Sequence, residues 1–136
     1  MDFVVFCTAF ILQFVGHRIG DFFLQTYWQA MYKSTNRWAR SKHCFVYSLT
    51  ISALLLFAFD WKVCLAVFAL TFAEHYWIDS GKPVAWWLTF QERVLARNAQ
   101  YELKQTPAFV VIEYDQTVHY VRIFLLSLLI GYGIVS

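Results

Sequence analysis

Four apolar stretches alternate with basic, polar segments along the chain. They run from about Phe3 to Ala30, His43 to Phe59, Trp61 to Asp79 and Pro107 to Val135. A helix that crosses a bilayer needs ~17–25 mostly apolar residues, and the pattern predicts four of them. Only a tight turn around Asp60-Trp61 separates the second from the third, so these two form an antiparallel hairpin. Thr106 reads as the N-cap of the fourth span and Pro107 as its first helical residue. The stretch Val84–Leu103 is too polar to span. Trp86, Trp87, Leu88, Val94, Leu95 and Tyr101 mark one side of it, and Glu92, Arg97, Gln100 and Lys104 the other. This predicts a helix lying on the membrane interface. The expected fold class is therefore an all-α membrane protein. It is a four-transmembrane-helix bundle with a cytoplasmic interfacial helix between helices 3 and 4, in one integral membrane domain over residues 1–136.

Composition agrees with the pattern. Sixty per cent of the residues are hydrophobic and 15% charged, and a soluble domain of this size lacks the interior to hide so much apolar surface. The basic residues set the orientation. Lys33, Arg37, Arg40 and Lys42 lie in one loop, and Lys82, Arg93, Arg97 and Lys104 in another. The terminal segments carry no Lys or Arg, and the central turn carries only Lys62. The positive-inside rule then places both basic loops in the cytoplasm and both termini outside. A net charge of +2 gives no reason to expect nucleic acid as a partner. No basic region precedes the first apolar run, so a signal peptide is not expected. Cys7, Cys44 and Cys64 form no CxxC pair and read as small buried hydrophobes.

Polar residues inside these apolar stretches carry the candidate chemistry. His17 and Asp21, His75 and Asp79, and Asp115 and His119 are pairs at spacing i, i+4, which puts both members on one helix face. His43 opens the second span and is either a further ligand or an interfacial histidine. Glu74 and Glu113 lie beside the set. In the expected topology all of these residues fall in the cytoplasmic half of the membrane, with Asp21 ~13 Å below the surface and Asp115 ~12 Å in from Pro107. An ionised group at mid-membrane costs about 2.5–3.5 kcal/mol, so these groups must face inward and satisfy one another or bind something. Histidine and carboxylate donors converging from several helices suit one or two divalent metal ions such as zinc, manganese or iron. Gln25 and Gln116 would hold the ligands in place. Arg18, Lys82 and Arg122 could face an anionic substrate. Gly16 and Gly20, four residues apart, would let a neighbouring helix pack closely.

"GHRIGDFFLQTYW", "EHYWIDSGK" and "DQTVH" resemble the GHxxxDFxxQ, HxxIDxxK and DQxxH motifs of small bacterial and phage membrane proteins grouped as domain of unknown function 3307. "KHCFVYSL" resembles the histidine that opens that family's second apolar segment. The resemblance covers nearly the whole chain except Val84–Gln105. It implies an integral protein of the bacterial inner membrane. It also marks His17, Asp21, Gln25, His43, His75, Asp79, Lys82, Asp115, Gln116 and His119 as the family's polar positions. It implies no activity.

Three function classes follow. The first is a metal-dependent hydrolase acting on a lipid or phosphoester, with Asp115 or Asp21 as catalytic candidates. A metal would activate water and a spare carboxylate would take its proton. The second is a non-catalytic membrane protein whose polar or metal cluster is structural and which acts through partners or by oligomerising. The third is a small transporter or proton relay. That class favours broken helices, and no span contains an internal proline.

Overall fold

A computed structural model describes residues 1–135 of the chain. Among them there is no strand. Six α-helices form: α1 (Phe3–Arg18), α2 (Tyr27–Tyr32), α3 (Arg37–Leu55), α4 (Trp61–Ile78), α5 (Lys82–Phe90) and α6 (Ala108–Gly131). The long helices α1, α3, α4 and α6 run up, down, up and down. α1 packs on α3 and α6, α3 on α4, and α4 more lightly on α6. The start of α1 meets the end of α6, where the Asp2 backbone N–H donates to Gly131 O at 2.8 Å. Both termini therefore lie at one end of the bundle and both basic loops at the other.

Local chemistry sets the ends. Asp2, Asn36 and Asp60 cap α1, α3 and α4 by accepting backbone N–H groups. Thr26 and Gln29 form a reciprocal capping box on α2. Several boundaries differ from the sequence-based ones. The first apolar stretch does not run unbroken to Ala30: α1 passes into a π-helical turn, Ile19–Phe23, and stops. α3 begins at Arg37, so His43 sits almost two turns inside it. The cap of α6 is Pro107, with Ala108 the first helical residue. The interfacial segment is helical only to Phe90, followed by the π turn Gln91–Leu95. Its buried residues are Val84, Leu88 and Tyr101, whereas Trp86, Trp87, Val94 and Leu95 face outward.

The interior has two layers. Near the termini it is apolar, built on Ala9, Ile51, Leu55, Val67, Leu126 and Ile130. Towards the loops it turns polar, beginning with Gln13, which donates to Ser127 Oγ at 2.8 Å. Gly16 and Gly20 do let α3 come close. A Cβ on Gly16 would stand 2.9 Å from Ile51 Cγ1 and 3.1 Å from its Cα, and one on Gly20 3.1 Å from Tyr47 Cα. Because backbone cannot move aside, Gly16→Val should destabilise the protein by about 1–3 kcal/mol, read as a fall in the thermal unfolding midpoint of the purified protein.

By length and composition, one helix among the described residues is apolar enough to cross a membrane, Phe3–Phe23 counted through its π turn. The four-span count therefore does not follow from the helices taken singly. The reason is physical: α3 carries Arg37, Arg40, Lys42 and His43, and α4 and α6 carry Glu74, His75, Glu113, Asp115, His119 and Arg122, each of which lowers mean hydropathy.

Candidate metal centre

The up-and-down order brings the loop-side ends of α1, α3, α4 and α6 together, and each end carries part of one cluster. Asp21 comes from the π turn after α1, where the widened turn brings its carboxylate into the bundle. His43 comes from α3, His75 and Asp79 from the end of α4, and Asp115, Gln116 and His119 from α6. Asp21, His43, His75, Asp79 and His119 are all buried.

The donor atoms crowd together. His43 Nε2 lies 3.1 Å from Asp21 Oδ1, 3.2 Å from Asp79 Oδ2 and 3.0 Å from His75 Nε2. His75 Nε2 lies 3.2 Å from Asp79 Oδ2. His119 Nε2 lies 2.9 Å from His75 Nδ1 and 3.6 Å from Asp79 Oδ1. Two sets of three donors each lie within 4.8 Å of one another: Asp21, His43 and His75, and Asp79, Asp115 and His119. Cys44, His75 and Asp79 form a further such set. Tetrahedral ligands ~2.1 Å from zinc stand about 3.4 Å apart, close to the spacings here.

The hydrogen bonds single out Asp79. The His119 Nδ1–H donates to Asp115 O at 2.7 Å. His119 Nε2 in turn meets His75 Nδ1, and His75 Nε2 meets His43 Nε2, with donor and acceptor set by the tautomers. None of these contacts gives Asp79 a hydrogen bond. Both Asp79 oxygens are buried and without a hydrogen bond. Lys33 Nζ and the imidazoles approach them at 3.2 Å, at angles that make none. A buried carboxylate in that condition is costly unless a cation completes its surroundings.

Lys33 supplies part of that charge. Its Nζ donates to Asp21 Oδ1 at 3.1 Å and lies 3.2 Å from Asp79 Oδ1. Burial opposes its charge, but the carboxylates of Asp79, Asp21 and Asp115 outweigh burial and hold its pKa above the ordinary lysine value. Behind the cluster, Gln116 Nε2 donates to Asp21 Oδ2 at 2.9 Å and Gln25 Nε2 to Asp21 Oδ1 at 3.2 Å. Tyr47 stacks on His75 with ring centroids 3.6 Å apart.

The structure sorts the sequence candidates. It gathers Asp21, His43, His75, Asp79 and His119, with Asp115 at the edge. His17 stands one layer back: its Nε2 meets Gln116 Oε1 and its Nδ1 the Tyr47 hydroxyl, both at 2.9 Å, so neither ring nitrogen faces the cluster. His43 is buried rather than interfacial, because α3 starts early enough to carry it inward. Asp115 does not lie a full two turns below the bundle's end. The turns of α6 before it extend past α4 and pack on α5 and the π turn after it, where the Tyr114 hydroxyl donates to Gln91 Oε1 at 2.6 Å. The three cationic candidates do not converge. Arg18 lies over the Phe22 ring at 4.0 Å. Arg122 donates to Glu74 at 2.8 Å and also to Thr71, and Lys82 lies in a separate cleft. Sequence reasoning missed Lys33, Tyr47 and Cys44. Lys33 counted only as a loop charge, and Tyr47 and Cys44 only as apolar positions. The one available signal was their helical spacing, since Cys44 and Tyr47 flank the face that carries His43.

A cleft of about 250 Å³ reaches the cluster from the loop side, lined in part by Lys33, Ser34, Asp79, Gly81 and Asp115. The Asp115 side chain is 22% exposed, unlike the other carboxylates of the cluster.

A family described as protein of unknown function (DUF3307) matches residues 9–134, nearly the whole chain. No curated protein and no solved structure matches it.

Proposed function

For a chain that belongs to the DUF3307 family of proteins of unknown function, we propose a multi-pass membrane protein whose buried cluster holds one or two divalent metal ions. These serve to hydrolyse an ester or phosphoester at the cytoplasmic leaflet. The observation that carries the metal reading is the Asp79 carboxylate, buried without a hydrogen bond among three imidazoles and Lys33.

The distribution of side chains supports the membrane. Phe14, Val15, Phe45, Leu49, Leu65, Val121 and Leu125 are exposed, whereas Gln13, His17, Ser48, Thr71, His75, Gln116, His119 and Ser127 are buried. In water that order is inverted; in lipid it is what each helix requires. The termini at one end and the basic loops at the other fit termini outside and loops in the cytoplasm.

A bound divalent metal would lower the pKa of water towards neutrality. Asp21, His43, His75, Asp79 and His119 would hold it, and Gln25 and Gln116 keep Asp21 oriented. Asp115, partly exposed in the cleft, is the carboxylate placed to take a proton from water. Water oxygen bonds to the phosphorus or carbonyl carbon, the ester bond to the leaving oxygen breaks, and that oxygen receives the proton from Asp115. The test is release of product from phospholipid vesicles and from a chromogenic phosphodiester by the full chain supplied with zinc, manganese or iron. Asp115→Asn should cut turnover by about 10²–10⁴-fold while keeping the metal held by the other ligands. No turnover with any metal would end the hydrolase reading.

The imidazole chain His119–His75–His43, with nitrogens 2.9 and 3.0 Å apart, favours a second reading, a proton relay. Metal-free protein that carries protons across vesicles would select it.

A further inference from the structure

We propose that a second cleft, on the other side of Ser34, binds a phosphate group. The cleft has a volume of about 520 Å³ and lies between the start of α3, the end of α4 and the start of α5. Arg37, Arg40 and Lys82 line it, together with the hydroxyl residues Ser34, Thr35 and Ser80. No carboxylate lines it, and among the described residues none of the three cations belongs to an ion pair. The other basic residues of these loops behave differently. Lys33 serves the buried carboxylates, Lys104 pairs with Glu102 at 2.6 Å, and Lys42 lies over Trp38 at 5.1 Å. Arg93 donates to Tyr101 O and Arg97 is exposed away from the cleft, so three of the eight basic residues of these loops share one opening.

Each wall has a distinct part. Arg40 is built in: its Nε and Nη2 donate to Lys33 O and Ser34 O, both at 2.7 Å, which fixes the loop. Arg37 and Lys82 are exposed and uncommitted. They stand at the starts of α3 and α5, helices of 19 and 9 residues, whose N-terminal dipoles add positive potential. Two cations, hydroxyl donors and two dipoles around one opening suit a phosphate's charge and its several acceptor oxygens. Tyr76 and Trp77 form the remaining wall, and such aromatics belong at headgroup level in a membrane.

Ser34 lines both clefts, and a Cβ on Gly81 would stand 4.0 Å from Ser34 Cβ, so these two residues form a ridge between the basic cleft and the one over Asp79 and Asp115. A phosphate anchored on one side places the rest of its molecule beside the metal ligands on the other. The substrate class is then a phosphate-bearing one, a membrane phospholipid or a soluble phosphoester. That last step rests on the hydrolase reading; the binding itself does not.

The test uses the full chain in nanodiscs of phosphatidylcholine with a minority of phosphatidylglycerol, with retained lipid read by native mass spectrometry. Wild type should keep phosphatidylglycerol over phosphatidylcholine. The double variant R37Q/K82Q should keep about ten-fold less, and K62Q, at the far end of the bundle, should match wild type. K82Q alone should show a smaller loss in the same direction if the double variant does not fold. Displacement of the lipid by inorganic phosphate would assign the site to soluble phosphate compounds, and resistance to it would assign a lipid headgroup. Equal retention of both lipids by wild type, or wild-type retention by R37Q/K82Q and K82Q, overturns the proposal. Metal content of the same samples keeps the readings apart: wild type that binds phosphate without metal contradicts only the hydrolase.

Discussion

Asp79→Asn should reduce divalent-metal affinity by more than about a hundred-fold, beyond what loss of a supporting residue costs, and leave the helical fold in place. The amide keeps the shape of the carboxylate and removes its charge. In the absence of metal that charge is buried, accepts no hydrogen bond and has Lys33 Nζ at 3.2 Å as its ion-pair partner. Without metal the variant should therefore be less stable than chelated wild type, by less than the about 3–5 kcal/mol of a fully broken buried pair because Lys33 keeps Asp21. Adding metal should raise the unfolding midpoint of wild type and leave that of the variant unchanged. If Asp79 serves only a structural polar network, metal should leave the midpoint of wild type unchanged as well. Paired thermal melts with and without chelator separate the two outcomes.

Lys33→Met should act in the opposite sense. In chelated protein Lys33 is the cation that bridges Asp21 and Asp79, at 3.1 and 3.2 Å. Removing one partner of a buried ion pair costs about 3–5 kcal/mol, because the opposite charge stays behind. Chelated Lys33→Met should thus unfold at a clearly lower temperature than chelated wild type. A bound metal supplies the missing charge, so the metal-loaded variant should recover most of that loss and bind metal at least as tightly as wild type. A variant equally destabilised with and without metal would mean that Lys33, rather than a metal, is the resident cation of the cluster.

The part of this arrangement legible in the sequence is the part that repeats with helical spacing. Pairs at i, i+4 put His75 with Asp79 and Asp115 with His119, and the alternation of apolar and basic segments predicts the up-and-down order that joins them. Gly16 and Gly20 pointed to close helix packing, and α3 fills that space. What the spacing could not reveal depends on local departures from a regular helix. His17 and Asp21 also stand at i, i+4, but the π turn at Ile19–Phe23 changes the register between them. Asp21 enters the cluster while His17 turns to Gln116 and Tyr47. Lys33 was hidden for a related reason: α1 ends early, and the short α2 returns the chain so that a loop lysine reaches inward. The basic cleft combines residues from α3, α4 and α5 whose sequence separation carries no period. The membrane reading rested on apolar stretches; α1 with its π turn meets a length-and-composition test, whereas α3, α4 and α6 carry too many polar residues to do so.

The proposed function stands or falls with metal at the cluster around Asp79. The most direct measurement is elemental analysis of full-length protein, purified without chelator and supplied with zinc, manganese or iron, joined to X-ray absorption at the edge of whichever metal is found. One or two equivalents per chain are expected, with nitrogen and oxygen neighbours at about 2.0–2.2 Å, and loss of that metal in Asp79→Asn. Protein that stays folded but carries no stoichiometric metal, or whose metal survives in Asp79→Asn, would contradict it.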